Sequence, residues 1–311
     1  MPDQTRSEAI AKTWPATPSS VRHQFGPGLV ATYGLPAVVI ALFLLLWQVL
    51  PGLFGVPAYD LPNLGSTLSG LQQDWPDIGT ALMVTLQDAL AGFLLGNVLA
   101  VMGATAFAYS PALERAFYPI AIIVQTIPVI VYAPLLDILF FKLPLVRSAP
   151  EAASIVGVSV LISFFPTLVN MTVGFKAIDP QIHELMRLLN ASRTQIFCKL
   201  RFPSAMPFLF SSLKITSTLA FVGAVVGEYM VGGGFNPLGH ALSSAGLQSF
   251  LGFQTNPANG AGIGYQMFTF YARLDKPGMF ADVLAVSVMS TLFFGLMVVA
   301  ERVFVPWRTG E

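Results

Sequence analysis

Six stretches of this chain are long and apolar enough to cross a hydrocarbon layer, and their recurrence limits the fold more than any single motif does. They lie near residues 29–50, 79–108, 117–141, 153–175, 204–230 and 280–304. A helix rises about 1.5 Å per residue, so about 20 residues span the bilayer core. With 54% hydrophobic and 10% charged residues in 311 positions, the chain carries more apolar surface than one water-exposed core can hide. In lipid every backbone N–H and C=O must be paired internally, and nothing here alternates in the ten-residue pattern of a membrane barrel strand. The sequence therefore predicts an all-α, polytopic membrane protein, a bundle of about six transmembrane helices. Gly, Ser and Thr interrupt the second and fifth stretches, which lets helix backbones approach closely.

Between the fourth and fifth stretches lies a charged segment, residues 179–207. Asp179 followed by Pro180 is a strong helix start, an N-cap acceptor before a proline at the first helical position. Ile182, Leu185, Met186 and Leu189 then recur at helical spacing, while His183, Glu184 and Arg187 fall on the other side. Asn190 sits where the helix needs a left-handed residue to stop, and asparagine tolerates that conformation. Ser192 with Gln195 forms a capping box, so a second helix is expected from Arg193 until Phe202-Pro203 ends it. The spacing thus predicts two short helices meeting at a bend. A plain solvated loop would explain the charges but not the paired caps.

Positive residues near span ends stay on the cytoplasmic side. With the N-terminus inside, the inner segments hold twelve of the 16 Lys and Arg, and the outer ones hold Lys142, Arg147, Arg273 and Lys276. Both termini and residues 179–207 are expected to face the cytoplasm of a cell inner membrane protein. Residues 1–28 form a polar cytoplasmic tail, 29–307 the transmembrane domain and 308–311 a short cytoplasmic tail. The first apolar stretch is too long for a signal-peptide core and reads as a retained span.

Several function classes lack support. The net charge is zero and no basic stripe is present, so nothing neutralises a phosphate backbone. His23, His183 and His240 are isolated from one another, and the single Cys198 gives neither a disulfide nor a metal cluster. No nucleophile elbow occurs, and the glycine run at 232–234 is not followed by the lysine of a phosphate loop. The chain is expected to be non-catalytic and to bind no cofactor of its own. If ATP drives it, another chain must bind the ATP.

The segment from Glu184 resembles the EAA loop of ATP-binding cassette importer permeases. Glu184, Asn190, Leu200, Phe202 and Pro203 fall at the spacing of that pattern, with Leu185 and Met186 in place of its two alanines and Asn190 in place of its glycine. Thr85-Leu86, Gly92-Phe93, Gly96, Pro119, Gln125 to Pro128, Ala133 to Leu135, Phe165-Pro166, Gly174-Phe175, Gly227 to Met230 and Gly262 to Tyr265 follow in the order of the nitrate, sulfonate and taurine type. The resemblance implies a permease subunit that works as a pair and is coupled to cytoplasmic ATPase subunits carrying ATP and Mg. It also implies a periplasmic binding protein as the source of a small solute, such as a sulfonate, nitrate or a vitamin or pyrimidine precursor.

On that reading the coupling loop is 176–203, with Ile182, Glu184, Leu185, Met186, Arg187, Leu189, Asn190, Ala191, Ser192 and Pro203 as its contact residues. Packing of the apolar stripe against the chain's own span ends is the competing account. For the translocation path the candidates are Asp88, Gln125, Thr126, Pro128 and Glu228. An acid at mid-membrane costs about 2.5 to 3.5 kcal/mol on insertion scales, so Asp88 must face a polar interior or a partner. Pro128 frees a carbonyl and can bend the third stretch. Residues 231–262 form an extra Gly- and Asn-rich piece expected outside the membrane, with a short amphipathic helix over 238–250. An ATP-independent secondary carrier or channel is the alternative, although carrier-type internal repeats are not evident.

Overall fold

In the computed structural model the described residues are 29–57, 61–143, 150–232 and 261–306. They divide into two units, Met1–Leu50 and Pro51–Glu311. Helix α1 (Leu29–Leu53) carries the N-terminal apolar run, of which Gly34–Leu53 is long enough to cross a membrane.

The second unit continues with α2 (Leu64–Gln73), α3 (Trp75–Tyr109), α4 (Pro111–Gln125), α5 (Val129–Phe141), α6 (Pro150–Lys176), α7 (Pro180–Leu188), α8 (Arg193–Ile196), α9 (Phe202–Val231), α10 (Ile263–Ala272) and α11 (Lys276–Phe304). No strand occurs among the described residues. Five helices qualify as spans by length and composition, or six when a bent pair counts as one. The protein is thus an all-α, multi-pass membrane protein.

Prolines mark where many of these helices begin. Pro76, Pro111, Pro180 and Pro277 each sit in a first turn, where a missing N–H costs nothing. Side-chain caps add to them: Asn63 accepts from the Ser66 N–H at 2.8 Å, and Asp275 from the Gly278 N–H at 3.1 Å.

At the centre, α6 is held between α3 and α9. A Cβ at Gly92 would come within 2.1 Å of Ser159 Cβ, and one at Gly223 within 2.8 Å of Ser159 Cα. Helix backbones meet this closely only across small residues. Ser159 Oγ donates to the Ala220 carbonyl at 3.1 Å, so the contact is also hydrogen-bonded. One apolar cluster closes one end of these helices, around Ala104, Phe107, Leu168, Met171, Phe175 and Ala205. Another closes the opposite end, around Ile78, Leu82, Ile263, Ala281 and Ala285. Between them Asn97 Oδ1 accepts from Thr167 at 2.6 Å and from Thr216 at 3.3 Å, so three helices share one buried amide.

Two expectations need correction. The third apolar stretch is not one continuous helix: α4 and α5 meet at 110° across residues 126–128, as a broken span or a re-entrant loop. Pro128 cannot continue the α4 ladder. Thr126 and Ile127 instead donate back to Ile123 and Val124, and the Tyr132 hydroxyl donates to the Val124 carbonyl, tying the two arms together.

Nor does Phe202-Pro203 end the second short helix. Helix α8 passes through a π-helical turn, Phe197–Arg201, directly into α9. In an α-helix the Pro203 ring would collide with the Lys199 carbonyl. The wider turn, in which the Phe202 N–H bonds the Phe197 carbonyl, removes the collision. Finally, helices α2 and α10 lie in the connections at 51–78 and after 261, outside the six apolar stretches read from the sequence. The proposed helix over 238–250 and the tails 1–28 and 308–311 lie outside the described residues.

Candidate functional site

The bent pair of short helices forms as its sequence dictates. Asp179 accepts from the Gln181 N–H at 2.8 Å and starts α7. Asn190 adopts φ 54°, the left-handed stop, and the Ala191 N–H reaches back to the Met186 carbonyl at 3.0 Å. Ser192 Oγ accepts from the Gln195 N–H at 3.2 Å, while Gln195 Oε1 accepts from the Ser192 N–H at 2.8 Å, a complete capping box.

No residue of α7 is buried. Ile182, Leu185 and Leu189 are 46%, 54% and 69% exposed, so most of the stripe is not covered by the chain's own span ends. Met186 and Ala191 are half-buried, Glu184, Arg187, Asn190 and Ser192 are exposed, and Pro203 is partly covered at the start of α9. Leu188, 80% exposed, belongs to the same apolar face but was not among the expected contacts. Its position three residues after Leu185 was the available signal.

Both arms of this segment are anchored. Lys176, the last residue of α6, pairs with Glu114 in the first turn of α4. The Arg201 guanidinium donates to the Ala108 carbonyl at 3.1 Å. The Phe197 ring packs on Tyr109 and Phe175, with centroids 5.1 and 5.2 Å away. The exposed apolar face therefore sits on a base tied to α3, α4 and α6.

A second polar constellation lies deep in the helices. Glu228, on α9, is fully buried, and its Oε2 accepts from Thr85 Oγ1 at 2.9 Å and from the Gly264 N–H at 2.8 Å. Thr85 Oγ1 in turn accepts from the Ile263 N–H at 2.8 Å. The orphan donors that open α10 are thus satisfied by side chains of two other helices. The Asp88 carboxyl, also fully buried, is the other close neighbour of Glu228. Gly262 and Gly264 make the approach possible: a Cβ on either would meet Glu228 or the Val225 carbonyl at 2.2 Å. Of the path candidates, Asp88 and Glu228 are brought together. Gln125, Thr126 and Pro128 are exposed at the corner between α4 and α5, and none is hydrogen-bonded to the pair among the described residues. Thr85, Gly262 and Gly264 were not expected as site residues, because their partners lie up to 178 residues away.

At the α2–α3 junction, Asp74 has its carboxyl held above the ordinary value of 3.8, first by burial and then by Asp275 and Asp77. No group of three metal-ligating side chains occurs among the described residues.

Residues 90–304 match the family model described as binding-protein-dependent transport system inner membrane component. The chain is 30% identical to the riboflavin transport system permease protein RibX of Chloroflexus aurantiacus, over 88% of this chain and 90% of the relative. It is 28% identical to the formylaminopyrimidine transport permease protein ThiX of Halalkalibacterium halodurans, over 88% and 95%. It is 26% identical to the putative aliphatic sulfonates transport permease protein SsuC of Bacillus subtilis, over 98% and 94%.

Proposed function

Because the chain belongs to the binding-protein-dependent transport system inner membrane components, and is a permease subunit of an ATP-binding cassette importer, we propose that α7 and the turn to Ser192 are its ATPase-docking element. The observation that carries this reading is the exposed apolar face of Ile182, Leu185, Leu188 and Leu189 on an anchored base. An amphipathic helix that leaves most of its apolar residues exposed is built to fill a groove on a partner. Glu184 and Arg187 set the polar register at its rim. Two ATPase subunits, carrying ATP and Mg, grip two copies of this loop in a homodimeric permease. The Lys and Arg distribution supports an arrangement with both termini and this loop in the cytoplasm.

Transport then follows from a bundle with inward and outward openings, biased by ATP-driven closure of the partner subunits. A periplasmic binding protein delivers the solute. Two relatives matched over 88% of the chain carry names for nitrogen heterocycles. These names favour a vitamin or pyrimidine precursor over an inorganic anion.

The test is capture of the ATPase subunit by the purified permease. Leu185→Asp with Leu189→Asp, and separately charge reversal at Glu184 and Arg187, should abolish capture while leaving the permease monodisperse. Undiminished capture by both variants would sink the docking reading. Ligand-induced thermal shift of the cognate binding protein separates the substrate classes.

A further inference from the structure

A cavity of about 570 Å³ lies where the ends of α3, α4 and α6 meet the start of α7, behind the exposed apolar face described above. Its floor is apolar, with Phe107 and Phe175 among the lining side chains. Arg115, Lys176, Arg201 and His183 also line it, against a single carboxylate, Glu114. Among the described residues only part of that basic capacity is used. Lys176 pairs with Glu114, and Arg201 directs one Nη1 donor to the Ala108 carbonyl. Arg115 and Arg201 thus outnumber the remaining negative charge, and a guanidinium has five N–H donors to offer.

All of these cations sit at one level of the bundle. Arg115 is in the first turns of α4, Lys176 ends α6 and Arg201 immediately precedes α9. That is the depth at which hydrocarbon gives way to headgroups, and a basic pocket there selects phosphate-bearing molecules. We propose that this cavity is a binding site for a phosphate-bearing anion, supplied either by an anionic phospholipid headgroup or by phosphate in solution. The aromatic floor suits the first source and the forked donors suit both. An occupant would bridge α4, α6, the π-helical turn and the first turn of α7, and so stiffen the base of the docking element. The inference rests on the reading that this end of the bundle faces the ATPase, but its test needs no ATPase.

The full-length chain is reconstituted in phosphatidylcholine nanodiscs with and without phosphatidylglycerol, and retained lipid is read by native mass spectrometry. In a second arm, inorganic phosphate is titrated against the detergent-solubilised chain with the thermal midpoint as readout. The wild type should retain phosphatidylglycerol over phosphatidylcholine. Arg115→Gln, an exposed position that leaves folding intact, should lower that retention about fivefold, as should Lys176→Gln. Retention without a phosphate response assigns the occupant to lipid. A phosphate response lost in the same variants assigns it to solution, and either result supports the site. Equal behaviour of wild type and both variants in both arms overturns it. Anion binding that survives while ATPase capture fails would count only against the docking reading.

Discussion

The bent helix pair around α7 and the Glu228 cluster are opposite kinds of construction. Within α7 and the turn into α8, the shaping hydrogen bonds join residues within five positions of one another, and no side chain of the helix is buried. Around Glu228, the bonds join residues 36, 143 and 178 positions apart, and nothing is exposed. The first can keep its shape when the helices around it move. The second exists only while α3, α9 and α10 are in place. A part that must present one surface to a partner is best shaped locally, and a part that must hold helices in register is best shaped by the helices themselves.

The most damaging way to break the second region is Gly264→Ala. The new Cβ would lie 2.2 Å from the Val225 carbonyl and 2.8 Å from Glu228 Cβ, neither of which can swing aside. We expect a loss of about 3 kcal/mol and of most folded material in size-exclusion profiles. Gly295→Ala, with nothing within 4 Å of the new methyl group, should be tolerated and serves as the control.

Next comes Glu228→Leu, which leaves the Gly264 N–H and the Thr85 hydroxyl without their buried acceptor, at a cost of about 2 kcal/mol. Glu228→Gln keeps an acceptor for both and turns an amide donor toward Asp88. It should retain most of the thermal stability lost in the leucine variant, and equal melting temperatures would refute the capping role.

In the locally built region, Ser192→Ala removes half of the capping box and should cost about 1 kcal/mol of local helix stability. Amide exchange should accelerate at residues 193–196 and nowhere around Glu228. Acceleration in both regions would erase the contrast drawn here.

The smallest effect concerns Asp74. Its folded carboxyl is held above 3.8, so its contribution to stability is fully present below the unfolded value and is lost as pH rises through the folded one. Asp74→Asn should flatten the thermal midpoint across that acidic window and shift it by less than about 0.5 kcal/mol at neutral pH. An unchanged pH profile would show that burial, Asp275 and Asp77 together do not hold this carboxyl above its ordinary value.

What could be read in the sequence follows the same division. Asp179, Asn190, Ser192 and Gln195 announce the bent helix pair because each acts on backbone groups a few residues away. The apolar runs reveal most of the spans for the same reason. The path of the chain at Phe202-Pro203 was hidden, since a proline there stops an α-helix but opens the segment that follows a π turn. The 110° corner was only half visible: Pro128 signalled a bend, but its angle depends on how Tyr132 bonds back to Val124. Asp88 could be flagged by its cost in lipid, whereas Thr85, Gly262 and Gly264 are unremarkable until the fold sets them against Glu228.

Helix α9 has one more implication. From Arg193 to Val231 the chain runs for 39 residues without a break, a rod of about 58 Å at helical rise. One end carries the capping box of the bent helix pair and the other carries Glu228. The π-helical turn at Phe197–Arg201 passes directly into α9. A tilt or slide of α9 carries Glu228 with it, so the opening of α10 moves as the blade of an oar moves with its handle.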